Sequence, residues 1–147
     1  MKSVPIAPSL QTSGMVYFPR MLDKIRKFAA DELREDFCDR LGEGFDGFCC
    51  NFLRVKYSDL RERTLQGGSD EEILRWCFQN GRELNAGDLM IWNGFLSKVG
   101  WRDFATGRLE EFKKSSGLTD RDDIETIFEF MVADEALDTP TDCICGG

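Results

Sequence analysis

Ser69-Asp-Glu-Glu-Ile-Leu-Arg-Trp-Cys-Phe-Gln-Asn-Gly81 reads as one complete helix with both of its ends marked. Ser69 and Glu72 have the spacing of a capping box, in which hydroxyl and carboxylate satisfy each other's backbone N–H groups. Ile73, Leu74, Cys77 and Phe78 follow on one helical face. Asn80-Gly81 is a left-handed terminator. The same grammar extends in both directions. Downstream, Asn85 caps a helix whose Leu89, Trp92, Phe95, Leu96 and Val99 make an apolar stripe. Residues 104–115 form another helix ending at Gly117, and Thr119 caps a last one carrying Ile124, Ile127, Phe128, Met131 and Val132. Upstream, Pro19 is preorganised for a first helical turn, and Met21, Leu22, Ile25, Phe28, Ala29 and Leu33 keep near-helical spacing. Ser58 caps a short helix that stops before Gly67-Gly68. Residues 45–55 are apolar without a decisive period. Nothing alternates with period two, so the fold class is all-α: a compact single domain of about five to six helices. Its expected layout is an extended N-terminal arm over residues 1–14, the helical domain over 15–137 and a Cys/Gly tail over 138–147.

The 147 residues carry 19 Lys or Arg, 27 Asp or Glu and no histidine, a net charge of -8. Without histidine, Ser-His-Asp and Cys-His catalysis, His-ligated metals and imidazole proton shuttles are excluded. At 41% hydrophobic and 12% aromatic, the composition is that of a folded protein. The charge is uneven: residues 117–147 hold nine acids against Arg121 alone, and the rest of the chain is neutral. Residues 20–34 lean basic, but no broad basic field is written for nucleic acid. Residues 1–14 contain Pro5 and Pro8 and lack the apolar core of a signal peptide. Apolar runs such as Leu89-Met90-Ile91-Trp92 fall far short of the ~18 residues that cross a bilayer, so no membrane partner is expected. The expected place is the cytoplasm, with reduced cysteines. Cys38, Cys49, Cys50, Cys77, Cys143 and Cys145 include no Cys-x-x-Cys pair, and the first four sit among aromatic residues as small buried hydrophobes.

Gly14-Met-Val-Tyr-Phe-Pro-Arg-Met-Leu-Asp-Lys-Ile-Arg26 resembles the opening segment of a small bacterial domain family of unknown function. That family opens with Gly-x-x-x-Leu-Pro-Arg-Met-x-Asp-Lys-x-Arg, and here Phe18 stands at the leucine position. The likeness continues through Glu72–Trp76 and Asp122–Phe128, covering about residues 14–135. It implies a mostly helical cytoplasmic domain and carries over no catalytic residue.

Four groups are candidates for chemistry. If Pro19 opens a helix, Arg20, Asp23, Lys24 and Arg26 lie in its first turns, beside backbone N–H groups that favour a phosphate or carboxylate. The plainer readings are a surface ion-pair set, or Arg20 locking the N-terminal arm. Gly42-Glu-Gly-Phe-Asp-Gly47 matches G-x-G-x-x-G but lacks the preceding strand, and its acids repel a pyrophosphate, so it is read as a turn. Asp122, Glu125 and Glu129 share a helical face, more simply its solvated side. Cys143 and Cys145 could hold a soft metal, although Asp138 and Asp142 work against thiolate formation. No cofactor is called for. The expected function is that of a binding or interaction module, with a protein partner or a second copy docking on the acidic last helix or the basic first one. The alternative is a small-molecule enzyme or ligand binder that holds an anion at the start of the first helix.

Overall fold

Ser13 and Gly14 both take positive φ, 48° and 86°, as the central residues of a two-residue hairpin turn require. They join β1 (Gln11–Thr12) to β2 (Met15–Val16) in an antiparallel pair, with Gln11 opposite Val16 and Thr12 opposite Met15. This computed structural model describes residues 2–137. Asn93 seals the hairpin: its side chain accepts from Val16 N at 3.0 Å and donates to Gly14 O at 2.7 Å. The expected extended arm thus ends in a small sheet. The chain falls into two compact units that divide between Asn93 and Gly94.

In the first unit, Tyr17 takes a left-handed turn (φ 73°) and launches α1 (Phe18–Ala29), with Pro19 in its first turn as read from the sequence. Met21, Leu22 and Ile25 are buried along its inner face. α1 packs on β1 and on α3 (Tyr57–Leu65). The undecided stretch is α2 (Phe45–Leu53), which ends on Arg54 at φ 63°. A 3-10 turn spans Glu35–Phe37. α4 (Asp70–Asn80) opens on the expected capping box, with Ser69 Oγ accepting from Glu72 N at 3.2 Å and Glu72 Oε1 from Ser69 N at 3.0 Å. Gly81 ends it, but at φ -127° rather than in the left-handed form. Asn85 caps α5 (Ala86–Leu96): Asn85 Oδ1 accepts from Asp88 N at 2.8 Å, and Asp88 Oδ2 accepts from Asn85 N. α3 starts at Tyr57 after an extended Lys56, so Ser58 is not its cap.

The second unit contains α6 (Thr106–Ser115) and α7 (Ile127–Leu137) around Leu96, Val99, Leu109, Leu118, Ile124 and Ile127. Gly100 (φ 105°) lets the chain pass Ile127 N, which would lie 3.0 Å from a Cβ there, while Val99 O accepts from Ile127 N at 2.8 Å. The last helix does not begin at Thr119. Residues 118–126 form turns, with Arg121 forked onto Asp123 by two 2.8 Å bonds, and Thr126 Oγ1 caps α7 through Glu129 N. Asp122 and Glu125 therefore precede the helix, and the three-carboxylate face is not formed. Among the described residues there are seven α-helices, one or two more than the expected five to six, and the extra one is α2. α2 is short, and it is apolar on most sides, which hides its period. Mostly helical stands, with the one small sheet added.

Candidate functional site

The residues at the start of α1 turn inward. Arg20 is 2% exposed; its Nη1 donates to Ile6 O at 3.1 Å, and its guanidinium lies 5.8 Å from the centre of the Phe37 ring. Asp23 Oδ2 accepts from Ile6 N at 2.9 Å and pairs with Lys27 Nζ at 3.0 Å, one helical turn on. Lys27 Nζ also donates to Val4 O at 2.8 Å. Beyond these, Ser3 N donates to Glu32 O and Arg34 N to Ser3 O. Arg20 and Asp23 thus hold the backbone of Ile6, while Lys27 holds Val4 and the backbone of Glu32 and Arg34 holds Ser3. Extended peptide needs such partners, because a buried unpaired backbone group costs about 1–3 kcal/mol. Arg26 reaches elsewhere, to Asp70 and Gly68 O at the start of α4.

Lys24 joins a second, fully interior group. Its Nζ lies 2.8 Å from Asp46 Oδ2 and 3.3 Å from Tyr17 Oη, and Tyr17 Oη donates to Asp46 Oδ1 at 2.7 Å. Gly42 N gives Asp46 Oδ2 a further bond at 3.0 Å. Asp46 has no exposed surface, and Lys24 and Tyr17 have almost none. The structure therefore separates the four sequence candidates: Arg20 and Asp23 hold the arm, Lys24 holds Asp46, and Arg26 ties α1 to α4. Asp46 and Tyr17, which complete the interior group, were not among those candidates. Asp46 lies inside the glycine-rich segment, where its acid was read only as a charge repelling phosphate. One signal was available: a chain that buries a lysine must bury a carboxylate or a pKa shift with it.

Burial, and after it the Asp46 carboxylate, pushes the Tyr17 phenol well above its ordinary range. Burial likewise raises Cys49 strongly, and raises Cys50 and Cys77 to about 12. These thiols are free and protonated near neutral pH. The interior group thus offers neither a phenolate nor a thiolate, and its lysine and aspartate are spent on each other. Among the described residues, no three His, Cys, Asp or Glu side chains gather as metal ligands. Cys143 and Cys145 lie outside the described residues.

On the surface the sequence reading needs correcting at two aromatics. Phe28 and Phe95, read as core, are 43% and 47% exposed. Phe95 stacks on Phe104 at 6.3 Å with planes 12° apart, and Phe104 is itself 68% exposed. On α5, Met90 and Ile91 also face outward, while Trp92 and Leu96 face inward. α5 is therefore apolar on both sides, with Met90 and Ile91 exposed on the outer one.

In the first unit, the polar side chains at the start of α1 are thus engaged by the N-terminal arm, by Asp46 and by α4. The chain belongs to the family described as Domain of unknown function (DUF5069), which matches residues 2–137. No curated protein matches the sequence. Among the described residues, no helix is long and apolar enough to cross a membrane.

Proposed function

We propose that this domain works by binding rather than by catalysis, and that it docks a second copy of itself through the outward face of α5. The observation that carries the reading is that face. Met90 and Ile91 leave large apolar side chains in water, 71% and 62% exposed. A helix apolar all round belongs in an interior, so its second face calls for cover. A second copy fits best because the segment from residue 86 to residue 104 carries two acids, Asp88 and Asp103, and two bases, Lys98 and Arg102. Such a neutral patch meets its own image without like-charge repulsion, as a two-fold contact requires. Gly87 and Gly94 are exposed on the same helix and allow close backbone approach.

The basic first helix is less suited to docking, since Arg26 and Lys27 already pair with Asp70 and Asp23. An anion held by Arg20 and Lys24 has less behind it for the same reason: both heads are buried on oxygens of the chain itself. The same reading places the domain in a bacterial cytoplasm, in keeping with Cys38, Cys49, Cys50 and Cys77 as free thiols. Sedimentation equilibrium tests the proposal. The full chain is expected to dimerise, and Met90→Ser with Ile91→Glu to be monomeric while keeping its helical circular dichroism. A wild-type chain that is monomeric at roughly millimolar concentration, or variants that dimerise equally well, would overturn it.

A further inference from the structure

Away from α1 and from the outward face of α5, the C-terminal ends of α2 and α4 meet around an open cleft of about 330 Å³ lined by Asn51, Phe52, Arg54 and Arg82. The approach is very close. A Cβ on Gly81 would sit 2.1 Å from Leu53 O, so only glycine fits. This contact places Arg82 N on Leu53 O at 2.8 Å and Arg82 Nε on Phe52 O at 3.1 Å. The guanidinium of Arg82 lies 4.5 Å from the centre of the Phe52 ring, and that ring stacks on Trp92 at 5.0 Å. Arg82 is thus held flat and fixed at one edge. Arg54, at the end of α2, also lines the cleft and is exposed, its backbone at φ 63°, a conformation unusual for a long side chain.

Two cations at helix C-termini have a plain explanation: they satisfy the last carbonyls and oppose the helix dipole. For α2 that need is already met. Cys50 O takes Val55 N, Asn51 O takes Arg54 N, Phe52 O takes Arg82 Nε, and Leu53 O takes Arg82 N. The Arg54 guanidinium and the Nη edge of Arg82 are not needed for that task. Among the described residues, neither arginine comes within ion-pair distance of a carboxylate, whereas Arg26, Arg34 and Arg121 all do. Two arginines without a carboxylate partner, one of them with its Nη edge left over, on a cleft at the lower end of ligand-pocket size suit an oxyanion of double charge.

We infer that this cleft binds the phosphate group of a small molecule, with Arg54 and Arg82 as its two cations and Asn51 as a neutral hydrogen-bonding neighbour. Isothermal titration of the full chain with inorganic phosphate tests this, at low ionic strength and about pH 8, where the phosphate is a dianion. The expected result is saturable binding, with the singly charged acetate roughly tenfold weaker or more. Arg54→Gly removes the fork while suiting the positive φ, and Arg54→Asn does the same with a side chain. Both are expected to keep or raise the melting temperature and to weaken phosphate by about tenfold or more. In the wild type, the Arg82 Nε–H resonance should move on titration. Absence of saturable phosphate binding, equal affinity for acetate, or wild-type affinity in a folded Arg54→Gly or Arg54→Asn chain would overturn the assignment.

Discussion

Three donors reach the fully buried Asp46 carboxylate: Lys24, Tyr17 and the Gly42 amide. Breaking such a group costs far more than forming it gains, because a survivor is left charged and dry. Lys24→Met should therefore destabilise the protein by about 3–5 kcal/mol in urea denaturation. Tyr17→Phe, which removes one bond to a charged acceptor, should cost about 1.5–3 kcal/mol. Combining Lys24→Met with Asp46→Leu should recover much of the loss; a double variant no more stable than Lys24→Met alone would refute the ion-group account. The thiols set a second residue-level expectation. Cys50 and Cys77 are raised from 9.0 to about 12 by burial. Between those values the unfolded chain loses thiol protons that the folded chain keeps, so stability is full below about pH 9 and falls as pH rises. Thermal melts at about pH 8 and about pH 10 should show the drop, and Cys50→Ala with Cys77→Ala should flatten it.

Elements bounded by side-chain caps were legible, and those bounded by backbone geometry or a distant contact were not. The Ser69–Glu72 box and the Asn85 cap could be read because donor and acceptor lie three residues apart. α2 was hidden: its limits are Gly44 at φ 58° and Arg54 at φ 63°, and only Gly44 has a residue type that suggests such a turn. The Ser13-Gly14 hairpin carried a turn dipeptide, but two-residue strands leave no periodic trace. At α7 two caps competed. Thr119 is followed by Asp120, Arg121, Asp122 and Asp123, whose short side chains bond locally and favour turns, whereas Thr126 is followed at three residues by Glu129 and by the apolar run. Hence Thr126→Ala should cost about 1 kcal/mol of stability and Thr119→Ala close to none. A reversed order in chemical denaturation would contradict the observed helix start. Gly81 was read correctly as a terminator and for the wrong reason. Its role is to admit Leu53 O, so Gly81→Ala should cost roughly 3 kcal/mol, a backbone clash that no rotamer relieves. The candidate site divides in the same way. Arg20 and Asp23 showed in the sequence as a polar group at a helix start, but their partners are backbone atoms of Ile6, which no side-chain pattern reports.

At the level of the whole molecule, the charge of -8 decides how two copies meet. Residues 117–147 carry all of it, while the α5 segment is neutral. If docking used the acidic end against the basic first helix, salt would weaken it, since ion pairs are screened beyond about 10 Å at 0.1 M ionic strength. Docking through Met90 and Ile91 has the opposite sign. The contact is apolar and keeps its strength in salt, whereas repulsion between two acidic molecules is long-ranged, extending about 30 Å at 0.01 M and shrinking to about 3 Å at 1 M. The dimer dissociation constant, followed by sedimentation at increasing sodium chloride, should therefore fall as salt rises. Sulfate should strengthen dimerisation further, because its exclusion from protein surfaces favours burial of apolar area. A dissociation constant that instead climbs steadily with salt would move the interface off α5 and onto the charged helices.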